Sequence, residues 1–133
     1  MALNNTKKFI GALGENMAAK YLIKNGYAVI DRNFRRPWGE IDIVAQKSGI
    51  LHFVEVKSVS CKDNGNGVSD RGREVDPEDN VNYFKLKRLN SVIQSYLGYK
   101  NVKQDQEWQI DILAVFVDVA NKKAKMRFTE DVG

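Results

Sequence analysis

The stretch that most constrains how this chain can fold is Gly39–Lys57, GEIDIVAQKSGILHFVEVK. It alternates apolar and charged residues, then repeats the pattern after a turn signal, which predicts two strands joined by a hairpin. Ser48-Gly49 suits a two-residue loop, since Gly takes positive φ at no steric cost. An even loop pairs Val44 with Phe53, Asp42 with Glu55 and Glu40 with Lys57; an odd loop would put Asp42 and Glu55 on opposite faces. Strand geometry places Glu40 and Asp42 on one face, and Glu55 and Lys57 on one face with Leu51 and Phe53. Carboxylates directly opposite each other repel. Burying them unpaired costs more. The expectation is therefore a cation between them, either Lys57, a divalent metal, or both. The competing reading is a solvated ion-pair cluster on the wet face of a sheet.

With 133 residues, the chain is long enough for one domain with a real core. No apolar run is long enough to span a membrane, and no signal-peptide pattern opens the chain, so a cytoplasmic location is expected. The single cysteine, Cys61, rules out an intrachain disulfide and a Cys-rich zinc site. The formal net charge is +4. The 61–80 segment holds 3 basic and 6 acidic residues, leaving 18 basic against 11 acidic elsewhere. A body this basic suits a polyanionic partner, or is simply a solvated surface.

Upstream, residues 5–25 read as a helix. Phe9, Leu13, Met17 and Tyr21 recur every four residues, and Gly26 stops the run. A second face collects Gly11, Ala12, Ala18, Ala19 and Leu22, and Glu15 projects into it. Glu15 either reaches a site built on the strands or is an ordinary solvated helical acid. Residues 27–30 read as a short strand. A polar loop follows at 31–38, where Arg32, Arg35 and Arg36 suit phosphates and Phe34 or Trp38 could stack on bases or be buried. Residues 61–80 read as a long loop, functional or disordered. His52 falls on the strand face opposite Glu55 and reads as structural.

A second helix is expected at 82–97 with Leu86, Leu89, Ile93 and Tyr96 or Leu97 inward. Lys85 lies at the edge of that stripe, where its stem can cover apolar surface while its ammonium reaches a cleft. Lys87 and Arg88 lie further out, within reach of phosphates. Strands at 108–119 and 124–128 complete the order α-β-β-β-α-β-β, a single α/β domain with a mixed central sheet flanked by helices.

An Asp, a following apolar strand with Glu-x-Lys, and an upstream helix Glu together resemble the PD-(D/E)xK nuclease arrangement. The segments GALGENMAAKYL, NFRRPWGEIDIVA, LHFVEVKSV, VNYFKLKRLNSVIQSYL and QIDILAV are similar to the YraN-like family, related to archaeal Holliday-junction resolvases. This resemblance implies a restriction-endonuclease-like fold. It also implies Glu15, Asp42, Glu55 and Lys57 as catalytic residues, with Glu15, Asp42 and Glu55 as metal ligands. Glu40 and Lys85 match accessory positions, and Asp111 matches an acid of the penultimate strand that also reads as structural. Carboxylate donors suit Mg²⁺ or Mn²⁺. Ser58-Val59-Ser60 stands where the family commonly has an arginine, Gln109-Ile110 replaces Arg-Phe, and the 61–80 segment is longer and more acidic than the pattern. The implied activity is metal-dependent hydrolysis of phosphodiester bonds in DNA, more than RNA, with branched or damaged DNA as substrate. A homodimer suits a junction cutter. The alternatives are a non-catalytic nucleic-acid-binding module on a nuclease scaffold, and a protein-interaction domain using the 61–80 loop.

Overall fold

The computed structural model describes residues 2–60 and 83–133. They form α1 (Ala2–Lys24), β1 (Ala28–Arg36), β2 (Gly39–Lys47), β3 (Ile50–Ser60), α2 (Tyr83–Tyr99), β4 (Trp108–Asp118) and β5 (Lys123–Thr129). This is the expected order. The loop read at 61–80, Cys61 included, lies outside the described residues. The strands make one mixed sheet, β1-β2-β3-β4-β5. Only β3–β4 is parallel. A parallel neighbour demands a crossover, and α2 lies within it. Among the described residues, no helix is long and apolar enough to cross a membrane.

The central hairpin turns at Ser48-Gly49, with φ of 52° and 80°. Two successive positive φ values fit the twist of a tight hairpin. Val44 pairs with Phe53 as expected, but the ladder stops at Ile43–Val54. Ile43 joins the core under α1, whereas Ile41 joins the core under α2. Strict alternation therefore breaks at Asp42, and the expected Asp42–Glu55 and Glu40–Lys57 ladder pairs do not form.

β1 is longer than its sequence suggests. A bulge between Val29 and Asp31 and a left-handed Asn33 (φ 55°) let the arginine run continue as strand through Arg36. β1 is a sheet edge, so polar side chains there cost little.

Both expected faces of α1 contribute to the core: Leu13, Met17 and Tyr21 of the four-residue stripe pack against it partly buried, while Gly11 and Ala12 of the small-residue face are exposed. Phe9 is exposed, whereas Ile10, Ala18, Ala19 and Leu22 are buried against Ile43, Val54, Leu113 and Val115. Ala18 and Ala19 lie deep because the helix lies very close to the sheet. A Cβ built on Gly14 would fall 2.8 Å from the Ser58 Cβ. The Ser58 hydroxyl can rotate away, but its Cβ cannot. Gly14→Ala should destabilise by about 1–3 kcal/mol through overpacking. Gly11→Ala, whose Cβ would meet nothing within 4 Å, should stabilise by up to about 1 kcal/mol. Urea denaturation of both variants measures the contrast.

On the other face, α2 lies over β1 and β2. Leu89, Val92, Ile93 and Tyr96 are buried against Ile41, Phe53 and Ile110.

Candidate active site

The broken alternation at Asp42 builds the site. Where the β2–β3 ladder ends, the Val56 N–H donates to Asp42 Oδ2 at 2.8 Å, taking a side chain in place of a strand carbonyl. The strands part there and leave a cavity of about 300 Å³. It is lined by Trp38, Glu40 and Asp42 from the β1–β2 turn and β2, by Glu55 and Val56 of β3, and by Lys85 and Arg88 of α2. Lys85 Nζ lies 2.8 Å from Glu55 Oε2, and Lys57 Nζ lies 3.8 Å from the same oxygen. The edge lysine of α2 thus reaches the cleft, as its position in the stripe implies.

Electrostatics single out Asp42. Burial first, and the Glu55 carboxylate second, push its carboxyl from the ordinary 3.8 up to about 8; the Val56 N–H opposes them, and the Glu40 side chain adds to the rise. Burial and then the Lys85 ammonium lower Lys57. Burial is the largest influence on Lys85 and works against its charge, but hydrogen bonds to Glu55 and Lys57 together with the Glu55 and Asp42 charges outweigh it, and Lys85 is held above the ordinary lysine value. Glu55 therefore has an ammonium at contact distance, whereas Asp42 holds its proton well above the usual carboxylate range.

The consequence for stability has a definite sign. Below pH 4, Asp42 is protonated in both folded and unfolded chains. Between about pH 4 and 8 the folded chain keeps that proton and the unfolded chain does not. Metal-free protein should therefore lose stability as pH rises through this window, by on the order of 3 kcal/mol once water access to the half-open cavity is allowed for. Asp42→Asn should remove that slope. Urea denaturation in chelator between pH 5 and 8 reads it directly.

Glu15 is placed differently from its expected role. Its Oε1 accepts from Arg32 Nη2 at 2.9 Å and from Asn33 Nδ2 at 2.8 Å. It does not line the cavity, and α1 covers the sheet face opposite Glu55. The expected convergence of Glu15 with Asp42 and Glu55 is thus not found. The left-handed Asn33 and the bulged β1 bring two donors to Glu15 instead. The arginines expected to meet phosphates are also engaged. Arg32 holds Glu15 and Asn16, Arg35 pairs with Glu40 at 3.1 Å, and Arg36 lies over the Phe34 ring at 4.2 Å. Lys87 lies in a separate groove on α2 with Asn90 and Gln94, away from the acids; Arg88 does reach the cavity.

A second cluster lies under α1. His52 Nδ1 and Asp111 Oδ2 are 2.6 Å apart, both side chains buried. Asp111 Oδ1 also accepts from Gln109 Nε2 at 2.8 Å and from the Asp131 N–H at 2.9 Å. With Glu130 they form a group whose ligand atoms lie within 4.8 Å of one another and could hold a metal ion. Among the described residues no other such group of three occurs. The structural reading of His52 and Asp111 accounts for the same contacts without an ion, since the Asp111 oxygens already accept three donors. Glu130 carries no local sequence signal that would have placed it there.

These features define a single α/β domain with a mixed five-stranded sheet and an acid-and-lysine cavity at the splayed end of its central hairpin. The chain belongs to the uncharacterised protein family UPF0102, whose model matches residues 14–120. It is 44% identical over 92 residues to a UPF0102 protein of Wolinella succinogenes, covering 69% of this chain and 73% of that one. It is 34% identical to one from Helicobacter pylori (98% and 96% covered) and 31% identical to one from Caldicellulosiruptor bescii (93% and 96%).

Proposed function

We propose that the protein is a metal-dependent endonuclease that hydrolyses phosphodiester bonds in DNA. The observation that carries this reading is the pair Asp42 and Glu55 facing one cavity, with the Asp42 carboxyl held protonated by burial and by Glu55 despite the Lys57 and Lys85 charges nearby. A buried carboxyl that holds its proton up to about pH 8 fits a site that takes a divalent ion in exchange. The donors are all oxygen, which suits Mg²⁺ or Mn²⁺ over softer metals. Asp42 and Glu55 would hold the ion, with Glu40 at the rim. When bound, such an ion acidifies a water and neutralises charge on a phosphate. Lys57 supplies positive charge toward the phosphate, aided by its lowered pKa as a proton-handling group. Arg88 and Lys85 flank the approach.

A non-catalytic nucleic-acid-binding module is the second reading. It is favoured by Lys85, whose ammonium at 2.8 Å from Glu55 already meets part of the need for a cation. A substrate panel with Mn²⁺, covering linear, single-stranded, flap and four-way DNA, separates the two. Cleavage of any member by the wild type and not by the Asp42→Ala/Glu55→Ala/Lys57→Ala triple variant supports the nuclease. Chelator-insensitive binding without cleavage supports the module.

A further inference from the structure

Among the described residues, the half of the sheet beside the cavity that α2 leaves uncovered carries a cationic strip. Residues packed under α1 fix one face of the strip region: Val56, Leu113, Val115, Val117, Ala124, Met126 and Phe128. The alternate residues therefore share the face of Glu55 and Lys57. The registers align them in rows. Lys57 pairs across Ala114 to Arg127, and Val59 across Phe116 to Lys125; Lys123 lies opposite Asp118. Lys123, Lys125 and Arg127 are all exposed. Two strand spacings put Arg127 about 10 Å from Lys57. α2 lies over β1 and β2, at the other side of this face. The one acid in the strip, Asp118, accepts from the Asn121 N–H at 3.2 Å and Nδ2 at 2.8 Å in its own loop and also feels the Lys123 charge opposite it, so Lys125 and Arg127 carry the larger share of the strip's positive charge. Arg127 lies over the Phe116 ring at 5.1 Å.

We infer that the β5 strip Lys123–Lys125–Arg127 is the track along which the phosphate backbone of a nucleic acid leaves the Asp42–Glu55 cavity. Three cations at every second residue of an edge strand offer a repeating charge to a repeating polyanion. The outward N–H groups of that edge are further donors to phosphate. The β1 arginines do not offer this spacing: Arg32 is bonded to Glu15, Arg35 to Glu40, and Arg36 lies over the Phe34 ring. The inference rests on the nucleic-acid reading of the cavity, though not on cleavage.

The test is the salt dependence of binding to a fluorescein-labelled DNA duplex, for wild type and for Lys123→Gln/Lys125→Gln/Arg127→Gln. The control Lys8→Gln/Lys20→Gln/Lys24→Gln removes the same charge from exposed positions on α1. The strip variant should lower the slope of log K against log salt by about 2 to 3, and weaken binding about 100-fold near 100 mM salt; the control should leave the slope unchanged. Because Arg127 also packs on Phe116, Lys123→Gln/Lys125→Gln provides a variant with that contact intact, and should lower the slope by about 2. Equal slopes for wild type and both strip variants would overturn the inference. So would loss of binding to phosphatidylglycerol vesicles with duplex binding untouched. Strip-dependent duplex binding without cleavage would remove the nuclease reading and leave the track standing.

Discussion

Asp42→Ala, Glu55→Ala and Lys57→Ala should each reduce Mn²⁺-dependent DNA cleavage by at least about 100-fold, measured as initial rate on the best substrate of the panel. The two acid variants lose an oxygen donor from a cavity with few to spare. Lys57→Ala loses the β3 ammonium that lies 3.8 Å from Glu55, and Lys85 cannot replace it because its Nζ is already 2.8 Å from Glu55. The three effects should be strongly non-additive, since each removes part of one unit. Glu15→Ala should behave otherwise. Its carboxylate anchors β1 through Arg32 and Asn33, so cleavage should fall less than about tenfold while stability drops by about 1 kcal/mol. A Glu15 variant as inactive as Asp42→Ala would mean that the helix acid swings into the cavity during turnover.

Asp111→Ala should cost about 3–5 kcal/mol of stability, as much as truncating a fully buried core side chain. The substitution leaves buried His52 without its Asp111 partner and removes the acceptor of the part-buried Asp131 N–H and of Gln109 Nε2. It also releases the chain end, where the Val132 N–H donates to Ile110 O at 2.8 Å and Gly133 packs on Ile110. For a domain of this size the midpoint of thermal unfolding should fall by about 10–20 °C. Asp111→Asn keeps an acceptor for Gln109 or Asp131 and should lose markedly less. If the cluster instead held a structural metal, chelator alone would lower the wild-type midpoint by a comparable amount.

The hairpin was the most legible part of the chain, because Ser48-Gly49 fixes its register and a one-residue slip would exchange its faces. The element order followed from periodicity and from turn residues. Which side of α1 lies deepest did not, because helical spacing ranks Phe9, which is exposed, above Ala18 and Ala19, which are buried, although Leu13 and Met17 do pack against the core. Only the approach of Gly14 to Ser58 shows that closeness, rather than side-chain area, decides which face goes inward. The length of β1 was hidden by Asn33 and the bulge, which local pattern does not reveal. Within the site, Asp42, Glu55 and Lys57 were readable from one hairpin and Lys85 from the edge of a helical stripe. Glu15 was misplaced because its partners, Arg32 and Asn33, depend on the bulged β1. The His52–Asp111 pair joins residues 59 apart in sequence, and the β5 strip becomes visible only once the strand order is known.

The most direct measurement is calorimetric titration of Mn²⁺ into chelator-stripped protein at pH 7 in two buffers of different ionisation enthalpy. The wild type should bind with release of the Asp42 proton, and Asp42→Asn/Glu55→Gln should show neither the heat nor the proton. Binding that survives in that variant, or that disappears only in His52→Ala/Asp111→Asn, would contradict a metal-holding cavity at the end of the central hairpin.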